Sequence, residues 1–195
     1  MIRIVLFILC LFLACGHCLA GELTAQQERV LGYAYCYGEA GGEGLGTAVQ
    51  GIVWQETQAG RFKGMKNPHH DDPDIERRYF GVGQIKLCAL RDVEKAYGLE
   101  FGGTKEERAR MLRDEDAFNV AVMALYLRYL YRYFDGDVDR AILAYNVGMG
   151  NVRKHGLSHD PYGYLAGVKS HMAGVVAEYN TDKPFVRERG RAWPE

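Results

Sequence analysis

A chain of 195 residues with a formal net charge of -1 is long enough for one domain with its own hydrophobic core. The near-neutral charge argues against nucleic acid or an acidic polymer as a partner. Tyrosine is abundant, with 13 copies, which suits a groove that stacks against sugar rings or a tyrosine-lined core.

The N-terminus has the pattern of a secretory signal. A positive start, Met1-Ile2-Arg3, precedes an apolar run over residues 4–15 that is too short for a stable membrane span. Small residues lead up to a predicted cleavage after Ala20, which places the mature protein in the periplasm or outside the cell. Lipid attachment through Cys15 is the alternative, and no stable membrane span is expected in the mature chain.

Two cysteines remain after cleavage, Cys36 and Cys88. An even pair in an exported protein is a disulfide candidate, because the compartment is oxidising. Two separate buried thiols are the other interpretation.

Helical patterns begin directly after the signal. Thr24 can cap a helix that runs to about Tyr37, and a second helix is predicted over residues 45–58, closed by Gly60. Glu56 falls on the apolar stripe of this second helix, in its last turn. Burial and the negative helix end both disfavour its charged form, which is the environment of a general acid.

Residues 61–80 predict a long polar loop that contains His69-His70-Asp71-Asp72. Adjacent residues rarely reach one ion, so no metal site is expected there. The stretch from Gly81 to Lys86 predicts a close backbone turn or short hairpin. It lacks the preceding strand and the Gly-Lys-Ser/Thr ending of a phosphate-binding loop.

The rest of the chain also has helical periodicity. We predict helices over residues 87–97, from a capping box at Thr104, and over the most apolar segment, 117–134, capped by Asp116 and buried at the centre. Further helices follow Asp137 or Asp139, and Asp160-Pro161, the last one reaching about Tyr179. The fold class is therefore all-α, with at most one short β-hairpin. Residues 21–180 form the predicted domain, and 181–195 a polar tail.

Five short motifs occur in a specific order, and together they resemble the catalytic domain of the soluble-type lytic transglycosylases, which share the lysozyme-like fold. They are Glu56-Thr57, Gly81-Val82-Gly83-Gln84-Ile85, Asn119-Val120, Ala144-Tyr145-Asn146-Val147-Gly148 and Tyr164-Leu165-Ala166-Gly167-Val168. In that family the corresponding motifs are a Glu-Ser pair, a Gly-Leu-Met-Gln-Ile turn, an Asn-Ile helix start, an Ala-Tyr-Asn-x-Gly run and a Tyr-Val-x-x-Val segment.

The resemblance implies cleavage of peptidoglycan glycan strands by a single glutamate, Glu56, which would act first as an acid and then as a base. The product would be a 1,6-anhydro-muramic acid end, formed without metal or cofactor. The substrate-binding positions implied are Thr57, Gly81, Gln84, Tyr145, Asn146 and Tyr164. A secretion or conjugation apparatus, or another targeting protein, is an additional expected partner.

Departures from the family pattern are visible at three positions. Thr57 replaces serine, Gly83 stands where methionine is common, and Met123 stands where the long helix often has glycine. Two alternative functions remain at this point. One is a muramidase on the same fold, which needs a second carboxylate to activate water. The other is a non-catalytic glycan-binding component of an envelope-spanning machine.

Overall fold

The chain folds into a set of packed α-helices. The computed structural model describes residues 22–63 and 72–183. In these ranges the helices are α1 (Ala25–Glu39), α2 (Gly46–Thr57), α3 (Leu87–Tyr97), α4 (Lys105–Asp114), α5 (Asp116–Tyr133), α6 (Val138–Val147), α7 (Met149–His155), α8 (Tyr164–Ala173) and α9 (Val175–Asp182). The described residues contain no β-strand, and a single antiparallel bridge joins Phe80 to Ile85. The all-α prediction is confirmed.

Local capping sets several of the helix starts. Thr24 and Gln27 form a capping box at α1, and Thr104 and Glu107 form another at α4. The Asp137 carboxylate accepts from the Arg140 backbone N–H at 3.0 Å and caps α6. These three caps were predicted from sequence, and each is worth about 1 kcal/mol because it satisfies an N–H group that has no helical partner.

Helix α5 lies at the centre of the core, as its apolar sequence predicted. Val120, Met123, Leu127 and Leu130 have no exposed surface. The helix packs against α1, α3, α4 and α6. Each such side chain contributes roughly 1.5–3 kcal/mol through removal from water, so α5 organises the fold.

The arginines of α5 bind one acidic residue in the loop between α1 and α2. Arg128 donates to Glu43 at 2.9 Å, and Arg132 donates to the other carboxylate oxygen at 2.5 Å. Burial alone would raise the pKa of Glu43. The Arg132 hydrogen bond and the two positive charges outweigh burial and hold that pKa below its usual value.

Two predicted helix starts were wrong in detail. Asp116 is the first residue of α5 and not its cap. Its carboxylate instead binds Lys63 and accepts from Gln26. Asp160 does accept from the backbone N–H groups of Tyr164 and Leu165, at 2.7 and 3.0 Å. The helix that it caps begins three residues after Pro161, and Gly174 divides the predicted last helix into α8 and α9.

The predicted disulfide is also wrong, because both cysteines are free. Cys36 is half-buried in α1 close to Tyr179, and burial raises the pKa of its thiol. Cys88 is exposed in α3 and lines a cavity with Tyr126. The two side chains therefore have different surroundings, and a disulfide needs their Cα atoms within about 7 Å.

Two other predictions lie mostly outside the described residues. The predicted signal, residues 1–20, lies entirely outside them, and the predicted polar tail lies outside them from residue 184 onward. Among the described helices, none combines the length and the apolar character that a bilayer crossing requires.

Candidate active site

Glu56 occupies the last turn of α2, on the same stripe as three core residues. Ala48, Val49 and Ile52 are buried on that stripe at helical spacing. The helix ends at Thr57, and the next residue, Gln58, adopts a left-handed conformation with φ of 50°. The sequence placed an acid at the end of an apolar helix face, and the structure has it there.

Tyr164, the first residue of α8, holds the Glu56 carboxyl group. Its hydroxyl lies 2.5 Å from Glu56 Oε1 and donates to it. Burial raises the pKa of Glu56 from 4.5 to about 7, although the Tyr164 hydrogen bond acts in the opposite direction. An acid with this pKa exists in both protonation states near neutral pH, as a group that gives and then takes a proton must.

Two glycines allow α2 and α8 to approach closely enough for this contact. A Cβ atom on Gly51 would lie 2.7 Å from the Met172 side chain, and one on Gly167 would lie 2.7 Å from Gln55 Oε1. Real Cβ atoms do not come so close to other heavy atoms. Substitution at either glycine would therefore move Tyr164 relative to Glu56.

The loop between Phe80 and Ile85 lies beside the end of α2. Phe80 and Ile85 exchange two backbone hydrogen bonds of 2.9 Å, and residues 81–84 form the turn between them. Gly81 has φ of 67°, and a Cβ atom there would lie 2.2 Å from the Leu112 carbonyl oxygen. Only glycine fits this position, which explains the first glycine of the motif.

Asn119 of α5 holds this loop in place from below. Its side-chain amide donates to the carbonyls of Phe80 and Leu112, and its oxygen accepts from the Gly83 N–H, all at 2.8 Å. Asn119 is fully buried. From the sequence, Asn119-Val120 is only a motif, without a role for the asparagine. Asn119 is the one uncharged polar residue in the apolar half of a central helix, and this was the signal that could have predicted a buried hydrogen-bonding role.

Thr57 is buried and connects the end of α2 to the same loop. Its hydroxyl donates to the Val82 carbonyl at 2.7 Å and accepts from the Gly60 N–H at 3.0 Å. This residue was predicted to bind substrate. The structure instead gives it a positioning role, because its hydroxyl is used inside the protein and its side chain does not face a cleft.

Tyr145 of α6 lies on the other side of the loop. Its hydroxyl donates to the Gly83 carbonyl at 2.6 Å, and its ring lies 5.8 Å from that of Tyr126. Burial raises the pKa of Tyr145 well above its usual value, and the negative charge of Glu56 adds to the effect. Tyr145 is therefore a neutral hydroxyl close to the Glu56 carboxyl group.

A cavity of about 220 Å³ opens beside Tyr145, and Gln84 and Asn146 form part of its wall. Gln84 has a left-handed backbone, and its amide donates to the Gly81 carbonyl at 2.8 Å. Asn146 is exposed at the end of α6, and no hydrogen bond joins its side chain to a described residue.

Four described acids that could supply the second carboxylate of a muramidase are occupied elsewhere. The Glu39 carboxylate accepts from the Gly46 N–H at 2.8 Å, and Glu43 binds two arginines. Asp72 and Asp74 accept from backbone N–H groups of their own loop. Burial is the cause that raises the Glu56 pKa, and no described acid contributes to it. His69, His70 and Asp71 lie outside the described residues.

A second, larger groove is separate from this arrangement. Its volume is about 1020 Å³, and its lining includes Trp54, Glu28, Arg61 and Lys183 but not Glu56. Trp54 is only two residues from Glu56 in the sequence. Residues two positions apart project from nearly opposite sides of a helix, so Trp54 belongs to the other groove.

Comparison with protein families identifies the domain. Residues 95–162 match the family model described as the Transglycosylase SLT domain. This family is the lysozyme-like lytic transglycosylase domain. The resemblance that the ordered motifs predicted is confirmed. No curated protein and no solved structure matches the chain.

The SLT match covers about a third of the chain. It includes Asn119, Tyr145 and Asn146, whereas Glu56, the Gly81 loop and Tyr164 lie outside it. The match supports a glycan-cleaving role of the lytic transglycosylase type, with peptidoglycan as the substrate, at the level of the family.

Proposed function

We propose that the protein is a peptidoglycan lytic transglycosylase in which Glu56 is the catalytic acid and base. The observation that carries the proposal is the partly buried Glu56 carboxyl group, which accepts from Tyr164 and has a pKa of about 7. The bond cut is the β-1,4 linkage from N-acetylmuramic acid to N-acetylglucosamine. Peptidoglycan itself follows from the SLT match, and the bond and the residue roles are our proposal.

In the first step, protonated Glu56 donates its proton to the glycosidic oxygen. The bond between muramic acid C1 and that oxygen breaks, and the oxygen leaves with the proton as the new 4-hydroxyl of the departing N-acetylglucosamine. Glu56 is now a carboxylate, and the sugar that remains is electron-poor at C1. A pKa near 7 lets Glu56 carry this proton at neutral pH, which an ordinary glutamate does not.

In the second step, the Glu56 carboxylate removes the proton from the C6 hydroxyl of the same muramic acid. The C6 oxygen forms a bond to C1 and closes the 1,6-anhydro ring, and Glu56 is protonated again. The nucleophile belongs to the substrate, so no water is consumed. One carboxyl group performs both proton transfers, in agreement with the absence of another described acid acting on Glu56.

The surrounding residues position the acid and the sugar. Tyr164 fixes the carboxyl group through its hydroxyl, and Tyr145 places a neutral hydroxyl and an aromatic ring beside it. Gln84, Asn146 and the backbone of Gly81 line the path along which the strand would lie. Thr57 and Asn119 hold the loop and act through it.

The product distinguishes this reaction from hydrolysis. Purified peptidoglycan is digested in heavy-oxygen water, and the fragments are separated and weighed by mass spectrometry. We expect 1,6-anhydro ends, lighter by one water and without the isotope. Reducing ends that carry the heavy oxygen would instead mean a muramidase, and would direct attention to Asp71 as the second acid.

A Glu56→Gln variant tests the residue. Gln keeps the shape and the hydrogen-bond acceptor for Tyr164 but cannot donate a proton to the leaving group, so we expect a loss of about 10³-fold in kcat. An exposed acid, Glu100, provides the matched Glu→Gln control. Unchanged biological activity in Glu56→Gln would favour the non-catalytic glycan-binding alternative.

The proposal includes export of the protein. The signal pattern over residues 1–20 would direct residues 21–180, the catalytic domain, to the periplasm or beyond. Cell fractionation with mass determination of the N-terminus tests cleavage after Ala20. An acylated N-terminus at Cys15 would instead establish the lipid-anchored form. Recruitment by a secretion or conjugation apparatus remains part of the proposal, and co-purification from cells tests it.

A further inference from the structure

Tyr79 and Lys86 line the small cavity and form a pair just outside the Phe80–Ile85 bridge. Phe80 and Ile85 are opposite each other and point into the core. Their outer neighbours are Tyr79 and Lys86, and successive side chains alternate between the two faces of an extended segment. Lys86 Nζ lies 4.1 Å from the centre of the Tyr79 ring. The ring holds the ammonium group at the cavity by a cation–π contact worth about 0.5–1 kcal/mol.

Among the described residues that line the cavity, one is positively charged and none is an aspartate or glutamate. Lys86 is joined in this wall by Tyr79, Tyr126 and Tyr145 and by the amides of Gln84 and Asn146. Burial raises the pKa of both Tyr126 and Tyr145, and the charges of Asp92 and Glu56 behind this wall add to the effect, so the two hydroxyls stay neutral. In a chain of net charge -1, this is a local environment that attracts an anion.

Lys86 has no acidic partner among the described residues, in contrast to other cations of the chain. Lys63 pairs with Asp116, Arg108 with Glu94, and Lys169 with Asp139. The surface of Lys86 is half-buried, so its position is restricted. A lysine that is oriented by an aromatic ring and pairs with no acid of the described ranges can bind an external carboxylate.

One residue, Tyr145, links the cavity to Glu56. Tyr145 lines the cavity, donates to the Gly83 carbonyl, and lies within electrostatic range of Glu56. The volume of about 220 Å³ is below the roughly 300–1,000 Å³ of pockets that enclose a whole small molecule. It suits a substituent of a sugar that is bound at Glu56.

We propose that Lys86 binds a carboxylate carried by the substituent of muramic acid, so that the protein selects strands whose muramic acid bears a negative charge. This inference rests on the proposed function, since it assigns the ligand of the same groove. The carboxylate belongs either to the lactyl group of a stripped strand or to the stem peptide attached to that group.

Binding to strands in a Glu56→Gln background tests the proposal without turnover. Calorimetric titration uses short glycan strands with free stem-peptide carboxylates, the same strands with those carboxylates converted to amides, and strands stripped of peptide. We compare the background with added Lys86→Met, which keeps the length of the side chain, and with added Lys86→Arg, which keeps its charge. Lys95→Met, on an exposed position of α3 outside the cavity, is the matched control.

We expect Lys86→Met to weaken binding of the carboxylate-bearing strands about fivefold, in the range for a charge-assisted contact at a partly exposed site. Lys86→Arg and Lys95→Met should bind as the background does. On amidated strands, the Lys86→Met difference should disappear. The lactyl carboxylate is free only on stripped strands, so a Lys86→Met difference on those strands alone makes it the ligand. A difference on the peptide-bearing strands alone makes the stem peptide the ligand.

An equal loss of affinity on free and amidated strands would overturn the proposal, and so would the absence of any loss on free, amidated and stripped strands alike. If Lys86→Met folds poorly, amidation of the peptide-bearing or of the stripped strands must by itself weaken binding to the background protein about fivefold. The outcome is independent of the product analysis. Reducing ends or an inactive protein would end the proposed reaction but leave the binding comparison readable.

Discussion

Gly83 and Met123 occupy each other's space. A Cβ atom on Gly83 would lie 2.5 Å from Met123 Sδ. These are two of the three positions where the chain departs from the family pattern, with glycine for methionine in the turn and methionine for glycine in the long helix. The two departures are therefore one reciprocal exchange. The space that the turn leaves empty is filled from α5.

This relationship predicts a non-additive pair of substitutions. Gly83→Met alone should cost about 1–3 kcal/mol through overpacking, and Met123→Gly alone about 3–5 kcal/mol through a cavity and lost helix propensity. In the double variant the new methionine can enter the vacated space. The loss in the free energy of unfolding of the double variant, measured by denaturant titration, should be smaller than the sum of the two single losses. The difference should be at least about 1 kcal/mol.

A distant core residue of the same helix provides the control for this cycle. Leu130 is fully buried two turns further along α5, so Gly83→Met and Leu130→Ala should add within about 0.5 kcal/mol. Additive free energies for Gly83→Met and Met123→Gly would contradict the reciprocal exchange.

Glu56 should make the stability of the protein depend on pH. Its pKa is raised from 4.5 in the unfolded chain to about 7 in the folded one. The folded protein therefore holds the proton more tightly, and stability declines as pH rises through this interval, by about 3 kcal/mol, and then levels off. Glu56→Gln lacks this titration and should be the more stable protein above pH 7.

Unfolding free energies of Glu56→Gln and the parent protein, measured at several pH values, check this. The difference should be constant below pH 4.5 and should grow up to about pH 7. Glu100→Gln, on an exposed loop, should show no such growth. A pH-independent difference for Glu56→Gln would mean that burial does not perturb the carboxyl group.

Tyr164→Phe should shift the pH dependence of catalysis. The Tyr164 hydroxyl stabilises the Glu56 carboxylate, so its removal raises the pKa of Glu56 further. Because the protonated acid starts the reaction, the alkaline limb of kcat/KM should move to higher pH. The maximal rate should fall roughly 10²-fold, since the carboxyl group loses its fixed position.

Tyr162→Phe is the matched control for that profile. Tyr162 lies two residues earlier and is 86% exposed, so its variant should keep the profile of the parent protein. A limb that stays in place or moves to lower pH in Tyr164→Phe would refute the assigned hydrogen bond.

The sequence predicted the parts of this site that depend on local patterns. The cap at Thr104 involves a partner three residues away, and Glu56 stands on a stripe of one helix. Such relationships repeat with the helical period and can be found without a structure. The order of the motifs then indicated which elements come together.

The relationships that sequence did not predict join distant residues. Asn119 contacts groups that lie 36 and 39 positions away, and Lys63 takes the Asp116 carboxylate from 53 positions away. The same limit applies to Cys36 and Cys88, whose number suggested a bridge although their surroundings differ. Pairing over such separations is decided by the packing of helices, which single-residue patterns do not encode.

Asn119→Ala should show that the active-site loop depends on α5. The substitution leaves the Leu112 carbonyl and the Gly83 N–H without their partner, whereas the Phe80 carbonyl keeps its bond from the Ile85 N–H. Each unpaired buried group costs about 1–3 kcal/mol, so denaturant titration should give a loss of at least about 2 kcal/mol. Asn151→Ala removes one exposed hydrogen bond to Val147 and should cost about 1 kcal/mol or less.

Below its unfolding temperature, Asn119→Ala should also lose kcat, because the loop that carries Gly83 also positions Tyr145. A stable Asn119→Ala variant with the kcat of the parent protein would show that the loop is held by its own bridge pair instead.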